Sequence, residues 1–126
     1  MTVEQLAKVC HEANRAYCEI AGIMVGPHWG EAPVEQREGV IKGVRYALSL
    51  QMPVPSDMHR NWLKEKKVQG WTYGPVKDDA KKQHPCCVPY EALPQDQKVK
   101  DKLFIGIVQA LRGLVDGDQN PSKKEN

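Results

Sequence analysis

Gly70-Trp71-Thr72-Tyr73-Gly74-Pro75-Val76-Lys77-Asp78-Asp79, followed four residues later by His84-Pro85-Cys86-Cys87-Val88-Pro89-Tyr90-Glu91-Ala92-Leu93-Pro94, is the stretch on which the fold turns. Its glycines and prolines cannot continue a helix, and a loop of this length between helical patterns is usually functional or disordered. Its aromatics argue against disorder. Trp71, Tyr73 and Tyr90, with Trp62 just upstream, are half of the eight aromatic residues of the chain.

On either side the periodicity is helical. Upstream, Pro53 and Pro55 lead to Ser56 or Asp57, either of which can cap a helix that carries Trp62, Leu63 and Val68 and is stopped by Gly70. Downstream, Pro94 opens a helix with a wide apolar stripe of Leu103, Phe104, Ile107, Val108, Leu111, Leu114 and Val115. At the start of the chain, Thr2-x-x-Gln5 has the form of a reciprocal N-terminal cap. Leu6, Cys10, Ala13, Tyr17 and Ile20 then recur at helical spacing until Gly22, which predicts a helix over 3–21. Residues 23–32 read as a loop anchored by Trp29, and Pro33 suits the first turn of a second helix facing inward through Val40, Ile41, Val44, Ala47 and Leu48. From Asp116 the composition predicts a frayed tail over 116–126.

An internal echo links the halves. Trp29-Gly30-Glu31-Ala32-Pro33 precedes the second helix as Tyr90-Glu91-Ala92-Leu93-Pro94 precedes the fourth. The expected architecture is mainly α with a few short strands. Two pseudo-symmetric helix-loop-helix units, the second with the enlarged loop, form a single domain over 1–115.

With 126 residues, 40% hydrophobic content and a net charge of +2, the chain can bury one ordinary core and lacks the basic excess of a nucleic-acid binder. Nucleic acid is therefore not expected as a partner. No apolar run approaches the ~20 residues that span a bilayer, and no apolar signal core opens the sequence, so no membrane partner and a cytoplasmic location are expected. The four cysteines are then expected to be reduced, Cys10 and Cys18 as small apolar filler two helical turns apart. Cys86 and Cys87, even with His84, match no common zinc spacing, so neither a metal nor a cofactor is expected.

The residues around the loop allow two readings. Trp62, Trp71, Tyr73 and Tyr90 can border one concavity in which a planar ring stacks. Arg60, Lys77, Lys81 and Lys82 would then meet phosphates, while Asp78, Asp79 and Glu91 accept from hydroxyl or amine groups. Equally, Trp71 and Tyr73 can be core anchors, Asp78-Asp79 can cap a turn running to Lys82, and His59 and His84 can be hydrogen-bonded structural residues.

A family resemblance weighs on that choice. His59-x-x-Trp62, Gly70-Trp71-x-Tyr73-Gly74-Pro75-Val76, Lys77-Asp78-Asp79, Lys82, His84-Pro85 and Val88-Pro89-Tyr90-Glu91-x-Leu93-Pro94 closely resemble the RyR domain, the repeat of ryanodine-receptor channels that also occurs in small bacterial and phage proteins. The sequence departs from the channel repeats at Lys77, where they usually carry Arg, and at Cys87, where they carry Leu. The first change loses a planar two-pronged donor.

The resemblance implies a degenerate first repeat over 1–52, lacking a Gly-Trp-x-Tyr-Gly counterpart, and a full repeat over 53–115. It also implies a non-enzymatic module that binds an adenine-nucleotide or ADP-ribose-like ligand, as a sensor or a phage sponge of nucleotide immune signals. Trp62 and Trp71 would be its walls, Lys77 and Asp78 its polar partners, and Trp29 an opposing wall. The contrasting expectation is a protein-interaction module that uses the same aromatic surface, with a homo-oligomer among its partners. No Ser-His-Asp or Cys-His relay and no Walker-type phosphate loop is legible, so an enzyme is not expected.

Overall fold

The computed structural model describes residues 1–123. Four helices, α1 (Val3–Ala21), α2 (Val34–Ser49), α3 (Pro55–Val68) and α4 (Gln95–Leu111), carry the fold. A two-stranded parallel pair, β1 (Thr72–Tyr73) and β2 (Gln83–His84), lies inside the long loop. The architecture is mainly α with two short strands, as the sequence predicts.

Local chemistry sets the ends of α1. Thr2 Oγ1 accepts from the Gln5 amide at 3.0 Å while Gln5 Oε1 accepts from the Thr2 amide at 2.8 Å, and Gly22, at φ +71°, turns the chain out. The start of α3 differs from expectation. Neither Ser56 nor Asp57 is the cap; the helix begins at Pro55, whose fixed φ and missing N–H suit a first helical position. The Asp57 carboxylate instead reaches back to accept from the Val54 amide at 2.8 Å.

The core joins Val3, Leu6, Ala7 and Cys10 of α1 to Val44, Ala47 and Leu48 of α2, Ile105 and Val108 of α4, and Val115. Ile105 joins it while Leu114 is 61% exposed. The reason is geometric: α4 packs on α1, α2 and α3, which widens its inward face, and ends at Leu111 before a 3₁₀ turn over Arg112–Leu114 redirects the chain. Arg112 ties this turn to the end of α2, its guanidinium donating to the carbonyls of Ala47, Leu48 and Leu50 at 2.9–3.1 Å.

Residues 116–123 correct the expectation of a frayed tail. Asn120 is fully buried and donates to the Arg112 carbonyl at 2.8 Å, and Gln119 Oε1 accepts from the Val3 amide at 2.9 Å. Short polar side chains that read as tail composition close the helix bundle instead. The rest of the expected tail, 124–126, lies outside the described residues.

The two units follow one plan. His11 of α1 donates through Nε2 to the Pro27 carbonyl at 2.8 Å; His59 of α3 does the same to the Val88 carbonyl at 2.6 Å. Each carbonyl lies two residues before an aromatic that opens a 3₁₀ turn, Trp29 or Tyr90. The backbone repeats as well: His28 and Pro89 have φ, ψ of −63°, 159° and −58°, 153°, and Pro33 and Pro94 have −57°, 150° and −59°, 153°. Helices α1 and α2 pack together, as do α3 and α4, and α1 also packs along α4. Between α2 and α3 there is no comparable contact, and a cleft opens there.

Candidate functional site

The cleft is open to solvent on one side, has a volume of about 920 Å³ and draws its walls from all four helices and the loop at His84 and Cys86. On α3 the spacing His59, Trp62, Lys66 advances by three and then four residues, so these side chains share one face. The imidazole of buried His59 stacks on the Trp62 indole at a centroid distance of 5.6 Å and 25° between planes. Held from beneath in this way, the half-buried Trp62 faces the cleft.

The loop then returns to the same helix. Gly70, at φ +89°, ends the turn after α3, and the Trp71 amide donates back to the Lys66 carbonyl at 2.9 Å. Parallel pairing of Thr72 with Gln83 and Tyr73 with His84 brings His84 beside Trp62. Gly74 permits this approach, because a Cβ there would lie 2.6 Å from Gln83 Cβ. His84 stands edge-on to both indoles, 5.1 Å from Trp62 and 6.3 Å from Trp71. Lys66 Nζ lies 4.8 Å from the Trp71 ring centroid and 5.7 Å from that of Trp62, within cation–π range.

The electrostatics define what each group offers. Burial, then the positive charges of Lys77 and Lys66, push the His84 pKa below its ordinary value, against a smaller opposing pull from Asp79. The Cys86 amide donates to His84 Nδ1 at 2.9 Å, so the neutral ring carries its proton on Nε2. Asp101, on the cleft face of α4, is pushed up to about 6 by burial, with His59 and Lys100 pulling the other way. Burial also raises the thiols, Cys10 to about 12 and Cys86 above its ordinary value, which leaves them poor nucleophiles at neutral pH. Among the described residues no three His, Cys, Asp or Glu side chains converge as a metal would require.

The expected site residues divide. Trp62 lines the cleft, whereas Trp71, expected as its second wall, does not: the turn at Gly70 sets it behind His84 and Lys66, which it contacts from outside the cleft lining. Tyr90 lies 6.3 Å from His59, a supporting position behind the cleft. Tyr73 is 57% exposed on the outside of the loop. Arg60 and Lys77 are exposed too, in loose 3.8 Å pairs with Asp57 and Asp79. Asp78 is a turn residue: its backbone pairs with Gln83 in both directions and its carboxylate accepts from the Lys81 amide at 3.1 Å. Lys82 closes the end of α3, donating to the Gln69 carbonyl at 2.8 Å.

Trp29, expected as an opposing wall, is 7% exposed in the core, edge-on to His11 at 5.5 Å, and its amide donates to Glu12. Its place in the pseudo-repeat is that of Tyr90, not of Trp62. The position matching Trp62 in the first unit is Asn14, three residues after His11.

Sequence reasoning did not select Lys66, His84 and Asp101 as site residues. For Lys66 the signal was its position four residues after Trp62. For Asp101 it was a carboxylate in register with the apolar stripe of α4, three residues before Phe104 and seven before Val108.

An indole face, a neutral imidazole edge, an ammonium and a carboxyl on one concavity suit a planar ligand that carries an anionic substituent. No helix among the described residues is long and apolar enough to cross a membrane. The family model of the RyR domain matches residues 46–115, more than half of the chain. The chain belongs to the RyR-domain family.

Proposed function

We propose that this RyR-domain chain is a non-enzymatic, cytoplasmic binding module for a small nucleotide-like ligand of the adenine-nucleotide or ADP-ribose type, acting as a sensor or sponge of such a signal. The observation that supports the reading best is the Trp62 indole, stacked on His59, with His84 near-perpendicular to it and the Lys66 ammonium over its ring, in a cleft of about 920 Å³. Ligand pockets run to roughly 300–1,000 Å³, and the cleft has a volume in the range that takes a nucleotide. Stacking of the base on Trp62 would contribute about 1–3 kcal/mol. Lys66 and Lys100, both on the cleft, would take the phosphate.

The test is a thermal-shift screen with adenosine monophosphate, ADP-ribose and cyclic dinucleotides, followed by calorimetry. A ligand at about 100 times its Kd should add roughly 2.7 kcal/mol of stability. The expected result is a hit that Trp62→Ala abolishes with its fold intact; an unchanged affinity in that variant would remove the site assignment.

A second reading is supported by Val68, Tyr73 and Val76, which are 82%, 57% and 72% exposed around the outer side of the loop. A protein partner or a second copy of the chain would cover that surface. It leaves the cleft free, so a dimer or co-purifying protein with no nucleotide response would favour it.

A further inference from the structure

We propose that Asp101 is the specificity-determining residue of the cleft, its carboxylate accepting a hydrogen bond from the exocyclic amino group of a nucleobase stacked on Trp62. The site would then select amino-bearing bases over analogues that lack the amino group. This inference rests on the nucleotide-binding reading and narrows it.

The first unit acts as the internal control. Aligning Pro33 with Pro94 places Val40 of α2 opposite Asp101 of α4 and Gly43 opposite Phe104. The alignment is physical as well as sequential, because Gly43 and Phe104 meet: a Cβ on Gly43 would sit 3.4 Å from Phe104 Cζ. At the position of Asp101 the fold thus accepts a plain valine, partly buried against the core. Packing does not call for a carboxyl group there.

Nothing within the described residues uses that carboxyl either. Asp101 is half-buried on the cleft wall, yet forms no hydrogen bond or ion pair, and its oxygens are not fully buried. Of the two cationic or imidazole groups whose charge bears on Asp101, Lys100 forms no ion pair with it and His59 gives its Nε2 proton to the Val88 carbonyl. A half-buried carboxylate without partners costs stability, and a ligand donor restores the lost hydrogen bonding. Burial raises its pKa to about 6, so it is mainly ionised and an acceptor only at pH 7.5. An amino N–H is the complementary group on a base edge.

The experiment is calorimetry at pH 7.5 with adenosine monophosphate and purine riboside monophosphate, which differ only in the amino group, on wild type, Asp101→Val, Asp101→Asn and Trp62→Ala. Wild type should bind the amino ligand about tenfold or more tightly than the analogue, the worth of a charge-assisted hydrogen bond. Asp101→Val should bind both ligands alike with a raised Tm, and Asp101→Asn, which keeps an acceptor oxygen, should restore part of the preference. Equal binding of both ligands by wild type overturns the inference and leaves the nucleotide reading standing. A preference that survives in Asp101→Val, or a lowered Tm in both Asp101 variants, also overturns it. If wild type binds neither ligand, or Trp62→Ala binds as wild type does, the inference falls; the underlying reading falls with it only if ADP-ribose and the cyclic dinucleotides also leave the Tm unchanged.

Discussion

The first unit closes where the second stays open, although both are built on the same joint. In each, a histidine on the first helix holds a loop carbonyl just before an aromatic 3₁₀ turn. In the first unit the short loop folds directly onto α1, and Trp29 sinks into the core. In the second the longer loop projects outward, and Tyr90 takes the equivalent place only half-buried. Three residues beyond the histidine the first unit has Asn14 and the second Trp62; four residues further still they have buried Cys18 and Lys66. Both units line the cleft, but the indole and the ammonium over it come from the second alone. The lesson is that a shared backbone joint leaves the side chains around it free to serve either the core or the cleft.

The sharpest way to break the comparison is to truncate its two tryptophans. Trp29→Ala should cost about 3–5 kcal/mol, as large aromatic-to-alanine changes in cores do, enough to unfold much of the protein in a urea titration. Trp62→Ala should leave the urea midpoint close to wild type and remove nucleotide binding in calorimetry. Equal destabilisation by both would make Trp62 a core residue.

Gly74→Ala tests whether the long loop is a built scaffold. Its Cβ would press on Gln83 Cβ at 2.6 Å, and relieving that overlap should cost about 1–3 kcal/mol. The loss should concentrate in the loop, with faster hydrogen exchange of the Thr72 amide, which bonds the Lys82 carbonyl at 2.9 Å. Protection retained there would show that the strand pair is not fixed by that contact.

The joints themselves can be compared with His11→Gln and His59→Gln. Each removes one short imidazole-to-carbonyl bond, worth about 0.5–1.5 kcal/mol, so the stability losses should match. Only His59→Gln should also weaken ligand binding, since only His59 backs the Trp62 ring.

The smallest effects are in pH dependence, where the units should have opposite signs. Asp101 is raised from 3.8 to about 6 by burial, so the stability of its protonated form is complete below pH 3.8 and is lost as pH rises through about 6. Glu12 is held below 4.5, chiefly by its hydrogen bond with His28 and then by the Trp29 amide, so its contribution is present above pH 4.5 and lost as pH falls through the depressed value. In denaturation series from about pH 7.5 to 3, Asp101→Asn should exceed wild type at the upper end and converge with it in acid. Glu12→Gln should start below wild type and converge only in the most acidic samples.

Legibility followed the range of the interaction. The face of α4, which took in Ile105 and left out Leu114, could not be read from the sequence. The capping pair Thr2 and Gln5, the stops at Gly22 and Gly70, the prolines at the mouths of α2 and α4 and the apolar face of α2 could, because each is settled within a few neighbouring residues. The turn role of Asp78 was open for the same reason. What could not be read depended on partners far along the chain. Asn120 looked like tail until it met Arg112 and the end of the bundle. Trp29 and Trp62 sit near similar loops, and composition could not tell which is buried. Asp101 became a candidate only when α4 was placed across from α3 and His59.

The sequence by itself determined the four helices, the long aromatic loop and the echo between halves, because backbone conformation at caps, glycines and prolines is a local matter. Only the tertiary structure decided which indole faces solvent, that His84 and Lys66 join it, and that a carboxyl group stands unpartnered in the same cleft. Those properties arise from burial and from distances between segments, and both exist only once the helices have packed.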